Sequence, residues 1–440
     1  MESGADRISD LPEDVLHHIL SLLPARDAVR TCVLAQSWRN RWRSAPALRF
    51  ASSTRLVGGA DAFRHFVDGL LRVRDGGPLL DSCDFDLDVD QDSCDFDLDL
   101  QGNRWIRRVL ELKVRELRFR VSPHYPFKLE YTPLSSQHLT SLELTGVQDN
   151  DAVLDFYECT ALESLKMERS HVRSTEMQSP SLKHLSIKSC FFDDIRTWMS
   201  FPSLVSFEFI NNFARAPMLE TMPCLEAAKV RLDHGYDVRC KNGRLDGCGD
   251  VACRGCFYYE EGSVCLDGLA EATYLDLSAH LDMIVFYRDL KWCPAFNKLK
   301  TLVLSKWFLS TDLSALIWFL HHTPLLEKLT LEIPKEHKSL METEGSYNAL
   351  EKSIASSHLQ IVEIICKDVD GIVMILCVLI LTPCRSEKYQ AVDDPSRLLK
   401  QSDIKTANMV YNSVILSVFP YSGHKAIVTG QIDLFTALLS

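Results

Sequence analysis

Long hydrophobic runs are scarce in this sequence of 440 residues. The run GIVMILCVLIL, from Gly371 to Leu381, has eleven residues, whereas a membrane-spanning helix needs about 20. Near the N-terminus, Arg7, Asp10 and Glu13 interrupt the apolar residues, so no signal peptide is predicted. The sequence also lacks Asn-x-Ser/Thr sites for N-glycosylation. We therefore expect neither a membrane partner nor secretion.

Positive charge is also in short supply. The 48 Lys and Arg residues stand against 60 Asp and Glu residues, for a formal net charge of −12. General nucleic-acid binders need a basic surface, so no nucleic-acid partner is predicted. The 15 cysteines are odd in number and scattered through a long chain. This pattern favours reduced thiols, and we expect the protein in the cytoplasm or nucleus.

Catalytic signatures are absent from the sequence. It contains no Gly-x-Ser-x-Gly elbow, no phosphate-binding Gly-x-x-x-x-Gly-Lys loop, no His-Glu-x-x-His motif and no dinucleotide-binding fingerprint. The adjacent pairs His17-His18 and His321-His322 lie in apolar helical contexts, where sequence neighbours do not share a helix face. We predict that the chain is not an enzyme, has no catalytic residues and binds no cofactor.

The first forty residues are dense in apolar side chains. Their spacing predicts a helix from about Pro12 to Leu23, begun by a capping box of Asp10 and Glu13. A second helix follows, and a third holds Trp38 and Trp42 one turn apart. Three short helices are too few to bury these side chains by themselves. Two interpretations stay open: a helical cap on the following domain, or a docking surface for another protein.

The segment ISDLPEDVLHHILSLLPARDAVRTCVLAQSWRNRW, from Ile8 to Trp42, resembles the F-box of plant F-box/leucine-rich-repeat proteins. The Leu11-Pro12 pair, the apolar first helix and the spaced tryptophans carry this resemblance. It implies docking on the Skp-type adaptor of a cullin–RING ubiquitin ligase. The implied adaptor-binding residues are Leu11, Pro12, Val15, Leu16, Ile19, Leu20, Leu23, Val29, Val33, Trp38 and Trp42.

One departure from the family pattern affects charge. Such proteins usually carry a Leu-Ser-Lys-Arg-Trp run, and here the run reads Leu34-Ala35-Gln36-Ser37-Trp38. Two positive charges are therefore missing, which is expected to weaken docking. The hydrophobic anchors, which dominate interface energetics, remain.

A pattern of apolar-x-x-apolar-x-apolar recurs nine times in order. Such periodic segments are typical of leucine-rich repeats, in which each unit gives one short strand to a parallel sheet. The segments are LTSLEL (from Leu139), LESLKM (Leu162), LKHLSI (Leu182), LVSFEF (Leu204), LEAAKV (Leu225), ATYLDL (Ala272), LKTLVL (Leu299), LEKLTL (Leu326) and LQIVEI (Leu359).

The predicted fold class is α/β: a short N-terminal three-helix F-box, followed by an irregular leucine-rich-repeat solenoid with a curved parallel sheet. One face of that sheet is suited to binding a partner. Buried positions are expected at Leu142, Leu144, Leu165, Leu185, Ile187, Leu275, Leu277, Leu302, Leu304, Leu329 and Leu331. Outward polar positions are expected at Glu143, Lys166, Ser186, Glu208, Asp276 and Glu363.

Between the F-box and the repeats, residues 61–73 are predicted to form an amphipathic helix. The unit SCDFDLD then occurs twice, from Ser82 and from Ser93. Its aspartates invite comparison with a calcium-binding loop, but the required Gly and Glu are replaced by Gln91 and Asp97. The alternation of apolar and acidic residues instead predicts a strand with an acidic face.

Residues 233–268 form a Cys-rich insertion between the fifth and sixth repeats. Cys240, Cys248, Cys253 and Cys256 lie there, but only the last two have Cys-x-x-Cys spacing. Tetrahedral zinc sites need four converging ligands, usually from two regular pairs. A surface loop with reduced cysteines and a zinc site both stay open; no metal ligand is assigned.

Residues 359–381 resemble part of the FBD region of the same plant proteins. Beyond about Val373 the sequence becomes uniformly apolar and then loses the repeat period. We expect residues 372–381 to cover the last repeat and residues 382–440 to form an atypical, mobile tail. Within that tail, VILSVF and KAIVTG are predicted as isolated strands. An altered C-terminus, read through or alternatively spliced, is a further explanation.

The expected domains are an F-box (5–50), a linking helix with the first strands (51–138), leucine-rich repeats (139–365), the FBD-like region (359–381) and the tail. The resemblance implies a substrate-recognition subunit of an SCF-type ligase. Its F-box would bind the Skp-type adaptor, and through it the cullin–RING ligase. Its repeats would bind an unknown target protein for ubiquitination. The alternative is a leucine-rich-repeat scaffold or inhibitory binding module outside any ligase.

Overall fold

The computed structural model describes residues 11–34, 36–52, 59–88, 97–122, 127–130, 134–149, 153–193, 196–213, 216–232, 265–279, 289, 295–306, 313–333, 358–366, 376, 408–411 and 414–420. Contacts within the chain divide it into two compact units. Unit 1 comprises Met1–Leu204 and Asn212–Glu220, and unit 2 comprises Val205–Asn211 and Thr221–Ser440.

The described elements combine a few helices with many short strands. The α-helices are α1 (Glu13–Leu22), α2 (Ala25–Arg30), α3 (Gly59–Val73), α4 (Leu98–Glu111) and α5 (Ser314–His322). Short 3-10 helices span Thr31–Val33, Gln36–Trp38, Arg41–Ser44 and Asp267–Leu269. The strands are β1 (Ala47–Ser52), β2 (Ser82–Leu87), β3 (Glu116–Val121), β4 (Phe127–Lys128), β5 (Ser141–Thr145), β6 (Val147–Gln148), β7 (Val153–Asp155), β8 (Ser164–Glu168), β9 (His171–Val172), β10 (Glu176–Gln178), β11 (His184–Lys188), β12 (Phe191–Phe192), β13 (Trp198–Ser200), β14 (Ser206–Ile210), β15 (Met218–Leu219), β16 (Ala227–Leu232), β17 (Tyr274–Ala279), β18 (Thr301–Lys306), β19 (Lys328–Glu332), β20 (Ile361–Cys366), β21 (Asn408–Tyr411) and β22 (Val414–Pro420).

The N-terminal helices match the prediction in part. Helix α1 begins at Glu13, because Pro12 has an extended ψ of 146° and acts as N-cap without a side-chain hydrogen bond. The predicted capping box needs Asp10 as N-cap, but the N-cap is Pro12, and Asp10 itself lies outside the described residues. The predicted third α-helix is wrong, because its two tryptophans lie in separate 3-10 helices. Asn40, with φ −119° and ψ −2°, separates them, and asparagine readily leaves helical geometry.

Unit 1 contains a parallel sheet with the strand order β1-β2-β3-β5-β8-β11. Strands β5, β8 and β11 pair in register, so that Leu142, Leu165 and Leu185 lie side by side. These three leucines are at most 1% exposed, as are Leu144 and Ile187. The predicted burial of the repeat leucines is confirmed in this unit. It follows from the period of two along a strand, which sends alternate side chains to one face.

A left-handed residue follows each repeat strand of unit 1. Gly146 has φ +70°, Arg169 +48° and Ser189 +54°. After these turns the chain enters two further parallel sheets of short strands, in the orders β4-β6-β9-β12 and β7-β10-β13-β15. Asp149 links successive repeats, because its carboxylate accepts the backbone N–H groups of residues 173 and 174 at 2.6 and 3.1 Å. Burial raises the pKa of Asp149.

Aromatic stacking joins the first strands of unit 1 to two helices. The Phe85 ring of β2 stacks on Phe50 of β1 at 4.9 Å and on Trp105 of α4 at 5.8 Å. The Trp105 ring also meets Phe63 of α3 edge-on at 5.9 Å. The Trp105 indole N–H donates to Asp68 Oδ1 of α3 at 2.9 Å. Helix α3 matches the predicted amphipathic helix, whereas α4 was not predicted.

The two copies of SCDFDLD differ where both are described, at their last three residues. The first copy forms β2, with Cys83, Phe85 and Leu87 buried and the aspartates on the other face, as predicted. Most of the second copy lies outside the described residues. Its Asp97 is the N-cap of α4 and accepts the N–H of Leu100 at 3.0 Å. The residue at the last position of the supposed calcium loop therefore caps a helix.

Unit 2 contains a sheet with the strand order β14-β16-β17-β18-β19-β20-β22-β21. The pairings among the described strands are parallel except that of β21 with β22. The predicted inward leucines are confirmed as fully buried: Leu275, Leu277, Leu302, Leu304, Leu329 and Leu331. Helix α5 follows β18, and its Phe319 packs against Phe296 at 5.5 Å.

Strands near the C-terminus extend this sheet. Strand β22 pairs in parallel with β20, with Ile415 opposite Ile361. VILSVF is therefore a strand as predicted, but the prediction that it stands alone is wrong: the open edge of β20 offers backbone groups for pairing. Within the predicted apolar cover only Leu376 is described, and it is buried. Residues 382–407, KAIVTG and the four cysteines of the insertion lie outside the described residues.

Candidate functional site

One face of α1 belongs to the core of the N-terminal region. Leu16 and Leu20 are buried in a cluster with Ala28, Trp38 and Ala45. Leu23 and Trp42 pack against this cluster and stay partly exposed. These predicted site residues hold the region together, since their side chains face its interior.

A second apolar face of α1 is exposed. Leu11, Val15, Ile19 and Leu22 keep 38%, 42%, 36% and 54% of their surface exposed. Their spacing of three or four residues places Val15, Ile19 and Leu22 on one side of the helix, with Leu11 just before it. Residues one position further along the helix, such as Leu16, point about 100° away. We call these four side chains the α1 stripe.

Two further apolar side chains stand out into solvent after α2. Val33 is 83% exposed and Leu34 65%. Of the remaining predicted residues, Pro12 is exposed and Val29 is half-buried. Leu22 and Leu34 were absent from the predicted set. Leu22 lies seven residues after Val15, so its helical spacing could have revealed it.

Arginines lie beside both tryptophans, although the Lys-Arg pair of the family is missing. The Arg41 guanidinium lies 5.7 Å from the Trp38 ring centre, and that of Arg43 lies 5.5 Å from the Trp42 ring. Cations at these distances are attracted by the negative face of the indole ring. The Trp42 indole N–H also donates to the carbonyl of Arg39 at 3.1 Å. Positive charge is thus retained next to the buried core.

A buried arginine fixes the end of this region. The Arg74 side chain donates to the carbonyl oxygens of Arg43 and Ala45, the latter at 2.9 Å, and lies 3.4 Å from that of Pro78. Arg74 is 2% exposed, and burial lowers its pKa. Because carbonyl oxygens accept these hydrogen bonds, the guanidinium ties the last 3-10 helix to the segment after α3.

The polar face of the unit 1 sheet carries charges of alternating sign. Across neighbouring strands the register places Arg49, Asp84, Arg118, Glu143 and Lys166 in one row. The Glu143 carboxylate lies 3.4 Å from the Arg118 guanidinium and 2.8 Å from that of Arg120, two residues further along the same strand. Burial raises the pKa of Asp84, and the surrounding arginines offset this rise only in part. The outward Glu143, Lys166 and Ser186 were predicted correctly.

The polar face of the unit 2 sheet has a buried centre. Asp276 was predicted to point outward, but it is only 2% exposed. Lys229 and Arg231 cover it at 3.3 and 2.9 Å, which explains how a carboxylate is tolerated there. Beside it Tyr274 remains 38% exposed. Burial, with Asp276 nearby, raises the pKa of Tyr274.

The described residues offer little that is suited to metal or thiol chemistry. In that part of the chain no group of three or more His, Cys, Asp or Glu side chains is arranged to hold a metal ion. Burial raises the pKa of the Cys159 thiol to about 11, so it is a poor nucleophile. No helix among the described residues is both long and apolar enough to cross a membrane.

Comparison with known proteins gives this surface a context. Residues 8–49 match the F-box domain. An F-box/LRR-repeat protein of Arabidopsis thaliana is 26% identical over 76% of this chain and 95% of its own length. The chain is thus similar to plant F-box/leucine-rich-repeat proteins. The matched F-box includes α1, α2, the three 3-10 helices after it and the start of β1.

Other relatives match a smaller part of this chain. The meiotic F-box protein MOF of Oryza sativa subsp. japonica is 31% identical over 48% of this chain and 47% of its own length. An F-box/FBD/LRR-repeat protein of Arabidopsis thaliana is 26% identical over 51% of each chain. The chain thus spans about half the length of these two relatives.

Proposed function

We propose that this chain is a substrate-recognition subunit of an SCF-type cullin–RING ubiquitin ligase. Its F-box binds a Skp-type adaptor, and its leucine-rich repeats bind a target protein. The chain catalyses no step itself; it holds the target near the ubiquitin-conjugating enzyme, and this proximity replaces a bimolecular encounter. The observation that carries the proposal is the α1 stripe, an exposed apolar face on a helix that is already anchored by its opposite face.

The predicted adaptor-binding residues divide into two roles in this proposal. Leu11, Pro12, Val15, Ile19 and Val33 contact the adaptor, together with Leu22 and Leu34. Exposed apolar side chains at this density are typical of surfaces that a partner covers. The remaining members act from beneath the surface by holding α1 in place: Leu16, Leu20, Leu23, Val29, Trp38 and Trp42.

The target-binding part is a leucine-rich-repeat solenoid. Each repeat strand buries apolar side chains at the same two positions, and left-handed residues follow several of these strands at the same place. Both features are expected when similar units stack on one another. In each unit the target-binding surface is the polar side of the strands: in unit 1 it carries the charge row from Asp84 to Lys166, and in unit 2 it carries the exposed ring of Tyr274.

Adaptor binding is tested by titrating the full chain with a purified Skp-type adaptor. The double variant Val15→Glu/Ile19→Glu places two carboxylates in the middle of the stripe without touching the buried cluster. Affinity should fall at least about thirtyfold, since burying an unpaired charge adds to the lost apolar contact. Arg72→Glu, at an exposed residue of α3 outside the stripe, makes the same change in net charge, is the matched control and should change affinity less than threefold (about 0.65 kcal/mol).

Two outcomes would reject the proposal. The first is a folded wild-type chain that does not bind the adaptor, which would favour a scaffold or inhibitory binder outside the ligase. The second is equal affinity of the double variant and the control. Circular dichroism and unfolding midpoints of both variants must match the wild type, so that loss of binding reports the surface and not the fold.

A further inference from the structure

A small open cleft lies beside the adaptor-facing helix of unit 1. It has a cavity volume of about 40 Å³ and is formed between the start of α2, strand β1 and helix α3. Its walls are apolar, with two partly buried aromatic rings, and two arginines stand at it. The lining residues are Pro24, Arg26, Arg49, Ala51, Ala62, Phe63 and Phe66, with Gly59.

The cleft carries excess positive charge on a chain whose net charge is −12. Arg26 and Arg49 are both exposed. Asp27 follows Arg26, but its carboxylate pairs with Arg30 at 3.1 Å. Asp84 lies opposite Arg49 in the sheet register, but Arg118 and Arg120 also act on it. The two cleft arginines are therefore only partly neutralised by the residues around them.

The two arginines of the cleft favour a ligand with carboxylate or phosphate oxygens. They donate fork-like pairs of hydrogen bonds to carboxylate or phosphate oxygens, and such charge-assisted bonds are stronger than neutral ones. A water molecule needs about 10–15 Å³ of such volume, so 40 Å³ admits only a few heavy atoms. The cleft thus suits the end of one acidic side chain.

The chain is continuous from the end of the α1 stripe to the cleft. Leu22 is the last residue of the stripe and stands two positions before Pro24, which lines the cleft. The Arg49 guanidinium lies 3.5 Å from the Leu22 carbonyl oxygen. A protein that covers the stripe would reach the cleft at the end of α1. This continuity favours the same partner for both surfaces.

We infer that the cleft between α2, β1 and α3 is the polar end of the adaptor-binding surface, where Arg26 and Arg49 receive an acidic side chain of the adaptor. The inference rests on the proposed adaptor binding. The cleft also supplies positive charge to the adaptor-binding surface, in a chain that lacks the family's Lys-Arg pair before Trp38. The apolar stripe then provides the contact area, and the cleft provides charge recognition.

The test measures adaptor affinity of the full chain at low and at moderate salt. Arg26→Gln/Arg49→Gln should weaken binding about tenfold at low salt and flatten the salt dependence, because a screened charge interaction is removed. Arg26→Lys/Arg49→Lys keeps the charge and should recover most of the affinity. Arg72→Gln, which removes an exposed arginine of α3 away from the cleft lining, is the matched control and should leave both quantities unchanged.

The outcomes separate this inference from the proposed function. Wild-type affinity and salt dependence in the glutamine variant, with binding still lost in Val15→Glu/Ile19→Glu, would overturn the cleft assignment alone. No adaptor binding by the wild type would overturn both. Unchanged adaptor affinity together with arginine-dependent binding of inorganic phosphate would overturn the assignment by showing a small-anion site. If the glutamine variant is less stable, the lysine variant still decides, because rescue of affinity requires charge at these positions.

Discussion

Gly146 should be one of the positions in unit 1 least tolerant of a methyl group. It follows β5 with φ +70°, a conformation that costs an L-residue about 1–2 kcal/mol. A Cβ atom there would also stand 2.5 Å from the Val121 carbonyl oxygen and 3.3 Å from its carbon. Both atoms are backbone at the end of β3, the neighbouring strand, so relief requires the two strands to separate.

The expected loss of stability is the sum of these two effects. Overpacking of this kind costs about 1–3 kcal/mol. The conformational cost is partly offset by about 0.4–1 kcal/mol, because alanine restricts the unfolded chain. Gly146→Ala should therefore destabilise unit 1 by about 2–4 kcal/mol.

Gly76 provides a matched control. It has nearly the same φ, +69°, but nothing lies within 4 Å of the position that an added methyl group would take. Gly76→Ala should thus show the conformational cost alone, about 1 kcal/mol or less. Hydrogen–deuterium exchange of the β3 and β5 amides reports the opening free energy locally, which suits a chain of two units. Equal losses in the two variants would refute the claim that close backbone approach fixes the glycine.

Two further predictions concern charged groups of unit 1. Arg74→Met should lower the opening free energy of residues 41–46 by about 2 kcal/mol or more, because buried carbonyl oxygens lose their hydrogen-bond donor. Amide hydrogen exchange of these residues should become faster in this variant and stay unchanged in the exposed control Arg72→Met. Asp84→Asn should remove a pH dependence of stability. Burial raises the pKa of Asp84, so the folded state keeps its proton to a higher pH than the unfolded state does. The stability of the wild type relative to the variant should therefore fall as the pH rises from the unfolded pKa, about 3.9, to the raised pKa of the folded state. Urea titrations that instead show the wild type gaining on the variant over that range would contradict this sign.

The repeat strands were predictable because their signal is periodic and redundant. All nine segments contribute to strands, since an apolar residue at every second position specifies a buried face wherever the pattern occurs. Helix α4 was missed for the opposite reason. Its apolar residues Trp105, Ile106, Val109 and Leu110 have helical spacing, but they follow an acidic duplication that reads as a strand. Among the described residues, Leu87 of the first copy ends strand β2, whereas in the second copy Asp97 caps α4 and Leu98 begins it.

Tertiary context decided the remaining differences. Asp276 has the sequence position of an outward residue, and only the approach of Lys229 and Arg231 from the neighbouring strand buries it. Pairing of β22 with β20 is likewise a long-range choice that a local pattern does not contain. Within the F-box, adjacent positions such as Val15 and Leu16 are equally apolar. Which one faces the core depends on how α1 packs, so the sequence could not separate the buried from the exposed members of the predicted set.

The amount of exposed apolar surface bears on whether the α1 stripe is sufficient for docking. Fully burying a Val, Leu or Ile side chain is worth about 1.5–3 kcal/mol. With 36–54% of each stripe residue still exposed, covering all four gains about 4 kcal/mol, which corresponds to a millimolar complex. Val33 and Leu34 add about 3 kcal/mol on the same scale, and association itself consumes part of this gain. A stable complex therefore requires contacts beyond these apolar residues, and charged groups at the end of the stripe, such as Arg26 and Arg49, are where we expect them.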